Sequence, residues 1–189
     1  FTTGDNSDNA LPGTPTYVTV PGNNSSIAAG DFNGDGKRDL VLAATPGSGS
    51  GTTAVYPLIN NGSSSWLDAN GGNASSAAAL VTFSTGQYYF NSPTLVDVDG
   101  DLALDLVAAM RPYPAPSATY PGSIVVYPNS KGAPYFSASQ TFSPHPTTAV
   151  PNSLAAADFN NDGLIDFVVA DQGTQGGYWI LINTSKIND

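Results

Sequence analysis

One nine-residue pattern occurs three times in this chain, and it limits the possible folds more than any other feature. The copies run from Asp31 to Asp39, from Asp97 to Asp105 and from Asp158 to Asp166. In each, Asp or Asn stands at positions 1, 3, 5 and 9. Oxygen-bearing side chains on alternate residues, closed by one more after a gap of four, are what a tight loop needs to surround a hard cation.

Ca²⁺ takes six to eight oxygen ligands, and an alternating D-x-[DN]-x-D loop curls so that positions 1, 3 and 5 point inward. The candidate ligands are Asp31, Asn33, Asp35 and Asp39, then Asp97, Asp99, Asp101 and Asp105, then Asp158, Asn160, Asp162 and Asp166. Position 7 can add a backbone carbonyl, from Lys37, Ala103 or Leu164. The expectation is about three Ca²⁺, one per loop. An EF-hand begins the same way but requires a bidentate Glu at position 12. Leu42, Ala108 and Val169 stand there instead, which excludes it.

The formal charge of −10 suggests a basic partner until the acids are located. The chain has no Glu, and ten of its fifteen Asp lie in the three loops. The acidity is mostly metal-site acidity, and a nucleic-acid partner is not expected. No run of 18 apolar residues exists, so no helical membrane insertion is expected. There is no Cys to report on the redox compartment. Static calcium sites suit a calcium-rich setting, so the expected location is extracellular or at a cell surface. The start at Phe1 fits either a processed chain or a piece of a longer one.

The loops begin 66 and 61 residues apart, a period of about 63 that divides 189 residues into three units. Each loop is flanked by short apolar runs. Ile27–Gly30, Thr94–Val96 and Leu154–Ala157 precede it, and Leu40–Ala44, Leu106–Met110 and Phe167–Ala170 follow. Runs of this length, bounded by turn signals, predict buried strands. A third strand is predicted over Ala54–Asn60, Ser123–Asn129 and Tyr178–Asn183, each ending in Asn. A fourth is predicted near Leu80–Phe83 and near Ser139–Phe142. The predicted class is all-β: a single repeat domain over 1–189, made of three four-stranded β-propeller blades.

The third unit has no fourth strand of its own, whereas Tyr17–Val20 precedes the first loop and belongs to no unit. In closed propellers a terminal strand commonly completes the blade built by the other terminus. Strand 17–20 is therefore expected to complete the last blade, in cis or in trans. Propellers have four to eight blades, so three do not close alone. Two states satisfy this: a homodimer forming a six-bladed ring by strand exchange, or a longer parent chain that supplies the remaining blades.

The stretches Ala28–Leu40 and Ala156–Phe167 resemble FG-GAP/VCBS repeats, the calcium-binding units of the integrin α-subunit propeller and of many secreted proteins, some propeller lectins among them. The second copy departs from the pattern, with Val98 for Phe, Asp99 for Asn and Leu102 where the turn Gly is usual. The resemblance implies that each calcium hairpin joins the first two strands of a blade, with ligands meeting the opposite face. The connection from Arg111 to Pro121 is the candidate for that role, with Arg111, Tyr113 and Tyr120 able to stack on a sugar ring or hold a carboxylate.

Catalysis has little support. The single His145 lies between two prolines and has no nucleophile in view. The reading is a non-enzymatic, calcium-stabilised binding or adhesion module for carbohydrate or a surface protein. The alternative is a structural propeller segment beside a catalytic domain in a larger secreted enzyme.

Overall fold

The structure, a computed structural model, describes residues 17–20, 23–45, 53–62, 66–68, 72–73, 79–83, 88–112, 122–136, 139–143, 148–173 and 176–184. Every element among them is a β-strand. The strands form three antiparallel sheets, one per nine-residue loop.

The first sheet contains β1 (Asn23–Gly30), β2 (Asp39–Thr45) and β3 (Thr53–Asn60), with β4 (Trp66–Asp68) and β5 (Val81–Phe83) both on the outer edge of β3. The second contains β6 (Tyr88–Val96), β7 (Asp105–Pro112), β8 (Ser123–Tyr127) and β9 (Gln140–Phe142) in that order. The third contains β10 (Pro151–Ala157), β11 (Asp166–Asp171) and β12 (Gly177–Leu181). These are propeller-blade-like units, each opened by the hairpin that carries its loop.

Two local features depart from the simple strand reading. The fourth strand of the first unit is divided. β4 pairs with residues 58–60 of β3 and β5 with residues 53–55, so the strand expected near Leu80–Phe83 is the second half of an interrupted edge. Each innermost strand also carries a register shift, between Asn24 and Ser26, Asn91 and Thr94, and Pro151 and Ser153. An extra residue unpaired against the partner bends the strand and increases its twist.

Strand alternation gives every sheet two faces, and the sheets stack through them. The residues two and four places after each closing Asp, Val41 and Ala43, pack with Val55 against Leu106, Ala108, Met110 and Val125 of the second sheet. One unit later, Val107, Ile124 and Val126 pack against Phe167 and Val169 of the third. Each unit thus presents its even-offset face to the next unit and its odd-offset face to the previous one. β1 lies beside β6, and β6 beside β10, so the innermost strands adjoin. Space there is short: a Cβ on Gly30 would lie 2.7 Å from Leu104 Cδ1.

Aromatic side chains close the join between the first two units. Phe32, the second residue of the first loop, is buried, with its ring 5.2 Å from Phe136 and 5.3 Å from Tyr135. Full burial of such a side chain contributes about 1.5–3 kcal/mol. Phe90, in the aromatic run Tyr88–Phe90, is also in this core.

Tyr17–Val20, expected to complete the third unit, forms no ladder here. Val18 and Val20 instead lie on the odd-offset face of the first sheet, with Leu40, Leu42, Tyr56 and Leu58. The third sheet has three strands among the described residues.

The join between the second and third units makes a steric prediction. A Cβ added to Gly122 would sit 2.1 Å from the carbonyl oxygen of Ala149 and 2.5 Å from Pro151 Cδ. Backbone must then move, and overpacking of this kind costs about 1–3 kcal/mol. Gly122→Ala is expected to lower the thermal unfolding midpoint by about 5 °C in a calorimetric scan. An unchanged midpoint would mean that the two units do not meet here.

Candidate metal centres

The three loops are built by one set of hydrogen bonds, which explains why Asp and Asn recur where they do. The position 1 carboxylate accepts from the loop's own backbone. Asp31 Oδ1 takes Gly34 N–H at 2.8 Å and Asp35 N–H at 3.1 Å, and its Oδ2 takes Gly36 N–H at 2.8 Å. Asp97 does the same with Gly100, Asp101 and Leu102, and Asp158 with Asp162 and Gly163. Position 3 accepts from the N–H of position 5, through Asn33, Asp99 and Asn160. Position 5 accepts from the N–H of position 7, at 2.8–2.9 Å in all three loops. Lys37, Ala103 and Leu164 are the position 7 donors.

Position 9 does something different. Asp39, Asp105 and Asp166 are at most 1% exposed, and each carboxylate spans two elements. Oδ1 accepts from the Asn that ends the third strand or follows it by two residues: Asn60 N–H at 2.9 Å, Asn129 N–H at 2.7 Å and Asn183 N–H at 2.8 Å. Oδ2 accepts from the start of the loop, from Asn33 at 3.3 Å, Val98 at 2.8 Å and Phe159 at 2.9 Å. The closing Asp therefore ties its hairpin to the third strand of the same sheet.

Burial pushes Asp39 and Asp105 above the ordinary carboxylate range, and the backbone N–H groups only partly offset this. The neighbouring charges of Asp99 and Asp101 push Asp105 further up. Desolvated carboxylates beside like charges call for a cation. In the second loop, oxygens of Asp97, Asp99 and Asp105 lie within 4.8 Å of one another. Asp101 stands apart from that group, with Oδ2 3.2 Å from Lys131 Nζ. Asp35 is likewise 2.9 Å from Lys37 Nζ. In the third loop, Asp162 Oδ2 accepts from Asn160 Nδ2 at 2.9 Å.

The donor set fits a hard cation: it is all oxygen and mostly carboxylate, and apart from Asp31 Oδ1 and Asp97 Oδ1, which take two N–H groups each, most of these oxygens hold one N–H and keep a second lone pair. Asp97, Asp99 and Asp105 would hold the ion in the second loop. In the outer loops the amide oxygens of Asn33 and Asn160 replace one carboxylate.

The candidate ligand residues on the opposite end fare differently. Arg111 is half-buried in β7 and paired in register with Tyr89. Tyr113, Tyr120 and most of the connection that carries them lie outside the described residues, as does His145.

The residues that sequence reasoning did not assign are the asparagines ending the third strands. Asn129 Nδ2 donates to Leu104 O at 3.0 Å in its own unit and to Phe32 O at 2.7 Å in the preceding unit. Asn183 Nδ2 donates to Val98 O, at the same loop position one unit back, at 2.9 Å. Asn60 Nδ2 makes the bond within its own unit, to Arg38 O at 3.2 Å. The signal was visible as an Asn repeated at the end of each third strand.

The loops also set a backbone prediction. Position 6 is left-handed throughout, with φ of 84° at Gly36, 69° at Leu102 and 88° at Gly163. A left-handed backbone costs a side-chain-bearing residue about 1–2 kcal/mol, against about 0.4–1 kcal/mol of chain entropy lost with Gly. Leu102 is 93% exposed and contributes no packing in return. Leu102→Gly should stabilise the protein by about 0.5–1 kcal/mol in chemical denaturation, and Gly36→Ala should destabilise it by a similar amount.

Comparison with known proteins bears on the first unit. A family model described as the FG-GAP repeat matches residues 23–56, which span β1, the first loop, β2 and the start of β3. No curated protein matches the chain. FG-GAP repeats are consistent with extracellular modules of binding or structural function, and they often bind calcium. Among the described residues, no helix is long and apolar enough to cross a membrane. The FG-GAP match covers residues 23–56 of the 189-residue chain, within the first of its three units.

Proposed function

We propose that this protein is an extracellular, calcium-stabilised binding module, without catalytic activity, that recognises carbohydrate or a surface protein. The observation that carries the calcium part is the recurrence of one hydrogen-bonded Asp/Asn loop three times, each closed by a buried Asp, with three carboxylates gathered in the second. Each ion neutralises a cluster of carboxylates, fixes the hairpin and so fixes the connections at the other end of the sheet. Arg111, with Tyr113 and Tyr120 in the connection after it, is the proposed contact with ligand. The second reading is a non-catalytic segment beside a catalytic domain. Binding of the isolated chain to a glycan array separates the two, because a purely structural segment binds none.

Calcium should act on stability with a definite pH dependence. An ion that binds only the folded state at 100 times its Kd stabilises by about 2.7 kcal/mol per site. Removing calcium with EDTA is therefore expected to lower the midpoint by more than about 5 °C.

The sign with pH follows from Asp39 and Asp105. Their folded pKa values lie above the unfolded ones, so in the metal-free protein the cost of ionising them is present above the folded value and relieved as pH falls through it. Calcium requires both ionised, so acid competes with the ion. The gap in midpoint between calcium and EDTA samples should shrink steadily from pH 7 to pH 4. A gap that stays constant, or no gap at neutral pH, contradicts the proposal.

A further inference from the structure

The joins between units repeat, and the same rule leaves two ends of the stack without a neighbour. At each internal join, the even-offset face of one sheet meets the odd-offset face of the next. The loop residue at position 2 gives its carbonyl to the Asn that ends the next unit's third strand. Its side chain is covered as well: Phe32 is 3% exposed, and Val98 packs in the core between the second and third sheets.

At the third unit all of these elements are present without their partner. Phe159, equivalent to Phe32, is 46% exposed. Tyr178 and Ile180, aligned with Ala170 and Val168 on the even-offset face, are 73% and 51% exposed. Among the described residues, no strand pairs with the outer edge of β12. At the first unit the complementary half is found. Ile27, aligned with Leu42 on the odd-offset face, is 59% exposed, and Asn60, which corresponds to Asn129, makes the within-unit bond and, among the described residues, no bond to a preceding loop.

Residues 17–20 identify the occupant. Val18 and Val20 lie on the odd-offset face of the first sheet, where the outer strand of a preceding unit would lie. Tyr17 and Thr19 alternate away from that face and are exposed, Tyr17 by 91%. A groove of about 220 Å³ runs between the second and third units, lined by Ile124, Val126, Phe142, Phe167 and Leu181. Ile124 pairs with Ala109 and Phe142, so Ile124 and Phe142 belong to the even-offset face of the second sheet, where a fourth strand of the third unit would cover them. Among the described residues, segment 17–20 thus covers the first unit without pairing to any strand, and the third unit has three strands.

We infer that the third unit docks onto the first unit of a second copy of this chain, and that two such junctions close six units into a ring. Residues 17–20 of one copy pair with β12 of the other, with Tyr17 and Thr19 facing the groove and Val18 and Val20 staying where they are. Phe159 and Ile180 meet the face that contains Ile27 and Leu42, and the Phe159 carbonyl accepts from Asn60. Strand addition satisfies the open edge, and six blades fall within the four to eight that close. The two junctions are equivalent, giving a twofold-symmetric dimer.

Light scattering on the full chain in calcium, at tens of micromolar, tests this. The expected mass is twice the 19.3 kDa of the chain. Ile180→Asp and Ile27→Asp lie on opposite sides of the junction at exposed positions, and each should halve that mass with the circular dichroism spectrum unchanged. Leu102→Asp, on a loop tip away from both faces, should leave it at the dimer value. A wild-type mass of one chain, as expected if the faces serve further blades of a longer protein, overturns the inference. So does a dimer that both Ile variants leave intact, or a ladder of larger oligomers. None of these outcomes depends on whether the module binds sugar.

Discussion

A buried carboxylate at the ninth position of each loop is the interaction on which the rest of the structure depends. Asp39, Asp105 and Asp166 sit where water does not reach, and each uses one oxygen to hold the loop and the other to hold the end of the third strand. A charge in that position is costly unless hydrogen-bonded and neutralised. The backbone supplies the first requirement. On the proposed reading, a cation held by the remaining Asp and Asn of the loop would supply the second. One residue would then serve both sheet geometry and metal binding.

The same residue sets the lateral order. Because the closing Asp fixes the Asn that ends the third strand, that Asn side chain is held where it reaches the loop of the preceding unit, from Asn129 to Phe32 and from Asn183 to Val98. The position 2 residue of each loop is then placed against the next unit, which is why an aromatic such as Phe32 is buried there. Hydrogen bonds specify the direction of stacking, and apolar faces one residue out of phase pack between the units. A unit built this way has distinct ends. It adds head to tail, and a stack of three leaves one donor end and one acceptor end exposed.

Much of this was legible in the chain. The loops were readable because ligand spacing is a local, sequence-written constraint, and the buried strands because short apolar runs between turn residues admit few alternatives. Position 6 of the second loop departed visibly from Gly, and the backbone there is left-handed all the same. Other features depend on partners far along the chain and could not be read locally. The split outer strand, β4 and β5, pairs with the two ends of β3, residues 58–60 and 53–55, on the edge opposite β2. The bulges in β1, β6 and β10 exist only relative to the partner strand, where one extra residue stays unpaired. The lateral bond of Asn129 spans 97 residues, and only the repetition of Asn at three strand ends hinted at it. Arg111, read from the sequence as the start of a connection, lies in β7, because the strand runs on to Pro112.

The central claim is that each loop is a cation-organised staple rather than a polar turn. Native mass spectrometry of the chain, exchanged into a volatile buffer with trace calcium, counts the ions directly. The account predicts about three Ca²⁺ per chain, one for each loop of this chemistry, with Asp105→Asn reducing the count by one. A chain that keeps its fold and carries no calcium across the same titration would contradict it.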